Sequence, residues 1–145
     1  MLEIYRIIYQ VANDEIKVLI SGETGTGKEL VAKSLHHNSG RRERPFVVVN
    51  CAGIPEGLLE SELFGHVRGA FTDAYRDKPG KFQQANHGTL FLDEIGDMTL
   101  PLQVKILRAL EDGDITRVGG EKPEKVYTRI IAATNTTTLY RLYSW

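Results

Sequence analysis

Between the apolar run Val18-Leu-Ile20 and a helix-like segment lies Gly22-Glu-Thr-Gly-Thr-Gly27-Lys28, and no other stretch narrows the possible folds as far. Its glycines let the backbone curl so that successive N–H groups face an anion. The helix that follows adds the positive end of its dipole, and Lys28 reaches the terminal phosphates. Gly22, Glu23, Thr24, Gly25, Thr26, Gly27, Lys28 and Glu29 are therefore the candidate nucleotide-binding residues, with ATP or GTP as the ligand. A glycine-rich stretch alone is usually only a loop; the strand before it, the helix after it and the spaced lysine argue for the phosphate site.

A second motif points to the same chemistry. Thr89-Leu-Phe-Leu-Asp93-Glu94 reads as a buried strand that ends abruptly in two carboxylates. In a phosphate-loop enzyme the first, Asp93, holds magnesium directly or through water, and the second, Glu94, polarises the attacking water. The rival reading is an acidic helix cap. Together the two motifs describe an NTPase core.

With 145 residues and 41% hydrophobic content, the chain can bury one substantial core, and we read residues 1–145 as a single domain. A net charge of −1 gives no global field toward nucleic acid or an anionic membrane. Neither a membrane-spanning run nor a cleavable signal is legible, so a cytoplasmic location is expected. The single cysteine, Cys51, reads as a buried thiol beside Val47-Val-Val49 and receives no chemistry.

Ile4, Ile7, Ile8 and Val11 recur at helical spacing ahead of a strand at 17–21. Leu30, Val31 and Leu35 line one face of the helix after the phosphate loop. Phe46–Asn50 reads as a parallel strand covered on both faces, and Leu58, Leu59 and Leu63 as a helix. Gly65 to Gly80 reads as a long loop, the kind that usually carries function. Pro101 begins a helix striped by Leu102, Ile106, Leu107 and Leu110, which Asp112-Gly113 ends. Residues 115–118 suit a short strand, 119–125 a turn, and Arg129–Thr134 a fourth core strand. The alternation predicts a doubly wound, mainly parallel α/β/α domain whose ligand sits at the carboxyl ends of the strands.

Gly22-Glu-Thr-Gly-Thr-Gly-Lys-Glu29, Gly69-Ala-Phe-Thr-Asp-Ala74, Gly88-Thr-Leu-Phe-Leu-Asp-Glu-Ile95 and Arg129-Ile-Ile-Ala-Ala-Thr-Asn135 resemble the central AAA+ domain of sigma-54-dependent transcription activators, over about residues 18–135. The resemblance implies a P-loop ATPase that works with ATP and Mg2+ in a homo-oligomeric, usually hexameric, ring. Such a ring remodels the RNA polymerase holoenzyme carrying the sigma-54 factor so that promoter DNA opens. Lys28, Asp93 and Glu94 take the catalytic places, with Asp93 on the metal. Phe71 and Thr72 take the tip of the sigma-contacting loop, and the region from Arg117-Val-Gly-Gly120 to Lys125 takes the second surface loop. Asn50 takes the place of a switch that restrains the catalytic glutamate, and Asn135 that of the sensor near the terminal phosphate. Glu29 stands where a common phosphate loop has a magnesium-binding Ser or Thr, as it does in the family.

Two departures matter. Asp73 stands where the family's loop has a glycine, adding a carboxylate beside the tip. After Asn135 the family continues through arginine fingers, a fifth strand and a helical lid, where this sequence has Thr136–Trp145; Arg141 is the candidate remnant finger, and the domain is expected to lack the lid. A missing fifth strand would leave the first strand as a sheet edge. The alternative function is a hydrolysis-deficient, nucleotide-binding interaction module or a truncated remnant. No helix-turn-helix DNA reader fits beside the core. Arg41, Arg42 and Arg44, interrupted by Glu43, suit a solvated loop better than a nucleic-acid patch. His36, His37, His66 and His87 lack metal-ligand spacing.

Overall fold

The computed structural model describes residues 2–23, 25 and 27–135. In chain order the elements are α1 (Leu2–Ala12), β1 (Val18–Ser21), α2 (Lys28–His37), β2 (Phe46–Asn50), α3 (Glu56–Phe64), α4 (Lys81–Gln84), β3 (Thr89–Asp93), α5 (Leu100–Asp112), β4 (Asp114–Thr116), β5 (Pro123–Lys125) and β6 (Arg129–Thr134). Four strands pair in parallel in the order β1-β6-β3-β2, and β4 and β5 form a separate antiparallel hairpin. Parallel neighbours need crossover connections, which put helices on both faces of the sheet.

Side chains of successive strand residues point to opposite faces, and the two cores follow from that alternation. Phe91, Ile131 and Ala133 meet Ile8 of α1 and Ala32 and Leu35 of α2. Leu90, Leu92, Ile130 and Ala132 meet the larger core built by α3, α4 and α5, including Leu59, Leu63, Phe64, Phe82, Leu102 and Ile106. The result is the expected three-layer α/β/α arrangement. α5 starts with Pro101 in its first turn and stops at Gly113, whose φ of 69° supplies the left-handed end.

The expected spans hold with several corrections. Among the described residues β2 is an edge strand flanked only by β3, and it is not covered on both faces, since Val48 is 39% exposed. Leu30 and Leu58 lie outside the packed stripes and are exposed, as are Ile4 and Ile7, because each helix buries a narrower arc than its apolar residues span. In α1 that arc is Ile8 and Ala12, with Val11 half-buried. Within the region read as a turn, Pro123–Lys125 forms β5 against β4, and the buried Phe82 anchors the short helix α4.

Buried polar ties fix the elements at the end of the sheet away from the strands' carboxyl ends. The Arg129 guanidinium donates to the carbonyls of Ala12 at 2.6 Å and Val11 at 2.8 Å, closing the C-terminus of α1. Arg41 donates to the carbonyls of Gly88 (2.9 Å) and Tyr127 (2.6 Å) and pairs with Glu15. That hydrogen bond holds the Glu15 carboxyl below its ordinary range. Arg41 is thus a structural clamp, while Arg42 stays exposed beside Glu43. His36 spans α2 and β3, its Nδ1 2.8 Å from Thr89 Oγ1 and its Nε2 3.0 Å from the Arg44 carbonyl. His36 thus packs between elements, and no group of three or more His, Cys, Asp and Glu placed to hold a metal ion occurs among the described residues. None of the described helices is long and apolar enough to cross a membrane.

Candidate functional site

Strand register brings the separate motifs to one line. Ser21 pairs with Thr134, and Asn50 with Asp93, so the residues that end β1, β6, β3 and β2 lie together along the carboxyl edge of the sheet. The phosphate-loop residues leave β1 there, with Gly22 N–H donating to the Thr134 carbonyl at 3.2 Å. Gly25 and Gly27 have φ of 82° and 85°, a conformation that side chains disfavour and that the curled loop requires. Gly27 leads directly into α2, a ten-residue helix whose N-terminus meets the loop. Thr24 and Thr26 lie outside the described residues.

Lys28 is buried at 8% exposure, and its Nζ donates to the carbonyls of Gly22 (2.6 Å) and Glu23 (3.1 Å). The same ammonium stands 4.0 Å from a Glu94 carboxylate oxygen. Lysine and glutamate, far apart in sequence, thus meet at the carboxyl edge of the sheet. Glu94 itself takes a left-handed φ of 57°, uncommon for a side-chain-bearing residue, where β3 breaks into a short 3-10 turn over Ile95–Asp97. The break turns the carboxylate out of the strand and toward Lys28.

Asp93 behaves differently. Its Oδ1 is buried without a hydrogen-bond partner, a costly arrangement for a carboxylate unless a cation completes it. A hard oxygen donor left open beside a phosphate loop fits Mg2+. Glu29 points away: it is exposed and pairs with Lys33 one helical turn on, at 3.6 Å.

The two asparagines sit at strand ends as expected. Asn50 Oδ1 accepts from Ala52 N–H at 3.1 Å and caps the 3-10 turn Cys51–Gly53, so this oxygen is committed to the backbone here. Asn135 follows β6 directly and is exposed. Cys51 is buried, and that burial, aided by the charge of Asp93, pushes its thiol up to about 12, consistent with an inert core thiol. Arg141 lies outside the described residues.

Phe71 and Thr72 belong to a different surface. The loop between α3 and α4 is pinched at its base, where the backbones of His66 and Lys78 exchange two hydrogen bonds of 2.9 Å. Val67 N–H donates to the Val118 carbonyl and Val118 N–H to the Gly65 carbonyl, so the tip of the β4–β5 hairpin is stitched to the same base. Arg117 pairs with Glu124 across that hairpin at 2.8 Å. Toward the tip the chain folds on itself, with Gly69 N–H bonded to the Ala74 carbonyl and Ala74 N–H to that of Phe71. Phe71 is 38% exposed and Thr72 and Asp73 are exposed, so neither Phe71 nor Thr72 is core. Sequence reasoning missed what Phe71 rests on, the ring of His66, because a contact across a glycine-containing loop has no period to betray it.

Comparison with known proteins agrees with this geometry. Residues 1–142 match the family model described as the sigma-54 interaction domain. The chain is 59% identical over 125 residues to the anaerobic nitric oxide reductase transcription regulator NorR of Aeromonas hydrophila, covering 86% of this chain and 25% of that protein. It thus spans about a quarter of the length of the curated relatives it matches. Among solved structures, NtrX from Brucella abortus in complex with ATP superposes with a TM-score of 0.88 at 39% identity, over 99% of this chain and 30% of that one. The P-loop NTPase domain of a sigma-54 activator from E. coli shares the fold, with a TM-score of 0.61 at 18% identity, over 97% of this chain and 87% of that one. The chain has the P-loop NTPase fold and belongs to the sigma-54 interaction domain family.

Proposed function

We propose that this domain binds ATP in the loop from Gly22 to Lys28, hydrolyses it with Glu94, and uses the energy to act on RNA polymerase holding the sigma-54 factor. The observation that carries the reading is the meeting of Lys28 and Glu94 at 4.0 Å beside the unpartnered oxygen of Asp93. The related NtrX structures with ATP and with ADP support a nucleotide as the ligand.

In this reading the phosphates lie against the loop's N–H groups and the N-terminus of α2. Lys28 Nζ exchanges the carbonyls of Gly22 and Glu23 for phosphate oxygens, which leaves the Glu94 carboxylate free to accept a proton from water. That water attacks the γ-phosphorus as the bond to the β–γ bridging oxygen breaks, giving ADP and phosphate. Asp93 would hold Mg2+, which when bound offsets the phosphate charge. Asn50 and Asn135 flank the γ-phosphate side as switch and sensor; for Asn50 to restrain Glu94, its carboxamide must offer Nδ2 while Oδ1 keeps Ala52. Phe71 and Thr72 form the contact with the sigma factor, and turnover is expected from a homo-oligomer.

The test is hydrolysis measured across protein concentration for the chain and for Glu94→Gln. Removing a general base costs roughly 10²–10⁴-fold in turnover. A steep rise with concentration that disappears in the variant supports the proposal. ATP binding without turnover at any concentration supports the alternative, a nucleotide-binding interaction module.

A further inference from the structure

The loop that carries Phe71 has a built seat for its ring. His66 is 8% exposed and fixed on several sides: its Nδ1 lies 2.8 Å from Ser61 Oγ on α3, and its backbone N–H and C=O both bond Lys78. Its ring meets the ring of Phe71 edge-on, with centroids 4.9 Å apart and planes at 71°. This is the arrangement aromatic quadrupoles prefer. Phe71, by contrast, sits in an exposed tip folded by its own turn hydrogen bonds, between Gly69 at φ 83° and the exposed Thr72 and Asp73, with the neighbouring Ala70 close against Gly119 of the hairpin. A buried, hydrogen-bonded ring and a half-exposed one in edge contact make an unequal pair: one positions, the other is positioned. Both also line a groove of about 310 Å³ beside α3, together with Leu58, Ser61 and Tyr75, so Phe71 forms part of its wall.

We propose that His66, oriented by Ser61, is a positioning residue that seats Phe71 half-covered against the base of its loop, and that a partner must draw the ring off this seat to use it. The inference rests on the reading of Phe71 as the sigma-factor contact only for its second part; the seat itself stands on the geometry. An aromatic pair of this kind favours the seated ring by roughly two- to twelvefold.

The chain contains five phenylalanines, so biosynthetic labelling with fluorophenylalanine gives five ¹⁹F signals, and Phe71→Leu identifies the one that matters. Line broadening by a soluble gadolinium chelate then reports the exposure of each ring. In His66→Leu the Phe71 signal is expected to become more accessible while the other four keep their shifts. Ser61→Ala is expected to move the same signal by a smaller amount, and His66→Tyr, which keeps an aromatic partner without adding a labelled ring, to restore the seat. An unchanged Phe71 signal in His66→Leu overturns the proposal. If all five signals move, His66→Leu has disturbed the fold and Ser61→Ala decides: a change confined to Phe71 supports the seat, and none overturns it. Binding of purified sigma-54 factor supplies the separate arm. Release of the ring is expected to tighten binding by up to the same two- to twelvefold. A released ring with binding that Phe71→Leu leaves unaltered refutes Phe71 as the sigma contact while the seat stands.

Discussion

Replacing Arg129 with methionine should detach α1 from the sheet. Arg129 is 4% exposed, and its guanidinium donates to the carbonyls of Ala12 and Val11, which end α1. Burial opposes its charge, and the neighbouring Glu15 and Asp14 support it. Each hydrogen bond from a charged donor contributes about 1.5–3 kcal/mol net. The two lost carbonyl partners are not equivalent: Val11 O keeps the Asp14 N–H at 3.2 Å, whereas Ala12 O has Arg129 as its side-chain donor. Against the loss stands relief of the buried Nε, which has no partner in the native arrangement. Methionine retains most of the buried stem, so the cavity contribution is small. The balance is a loss of about 3 kcal/mol. At about 2.1 cal/mol/K of unfolding entropy per residue, that lowers the midpoint of a domain this size by roughly 10 °C. Calorimetry gives the midpoint, and amide hydrogen exchange gives its location. Protection should fall first in α1, while β3 and β6 remain the slowest segments. A midpoint shift of under about 3 °C with α1 protection intact would refute the clamp.

Other outcomes follow from the same geometry. In Gly119→Ala, a Cβ would sit 2.7 Å from the Ala70 Cβ at a φ of 77°, so stability should drop by about 1–3 kcal/mol and the Val67 and Val118 amides should exchange faster; unchanged exchange there would sever the hairpin from the loop. Burial holds His36 below its ordinary value of 6.5, so the unfolded chain takes up a proton first on acidification. Stability should be full above about 6.5, decline as pH falls through that value by at most about 1.4 kcal/mol per unit, and level off below the lowered folded value, and His36→Gln should remove that slope in chemical denaturation. Cys51, with its thiol pushed up to about 12, should resist alkylation in the native chain and react on unfolding; prompt native labelling would contradict its burial.

Much of this was legible because the informative residues break a local pattern. Glycines with a spaced lysine after an apolar run, and two acids ending another, are anomalies with a chemical reason, and the parallel register then placed them side by side. What stayed hidden are contacts without periodicity. Nothing in the spacing joins Arg129 to the end of α1, 117 residues away, or His36 to Thr89, 53 away. β5 was concealed by its residues: Pro123-Glu124-Lys125 has no apolar alternation, and its pairing with β4 comes from tertiary placement. β2 was misjudged because three consecutive valines fit a covered strand and an edge strand alike; only the strand order distinguishes them. In the site, Lys28, Asp93 and Glu94 could be named from sequence, but the commitment of Asn50 Oδ1 to Ala52 and the seat of Phe71 on His66 required coordinates.

The central claim, that Lys28 and its loop form an ATP site, is tested most directly by equilibrium titration of the chain and of Lys28→Ala with a fluorescent ATP analogue and Mg2+. Lys28 is expected to contribute a charge-assisted contact, so the chain should bind saturably and the variant should bind at least about tenfold more weakly while still unfolding in a cooperative transition above the assay temperature. Equal affinity in the two proteins, or no binding by the folded native chain, would contradict the account.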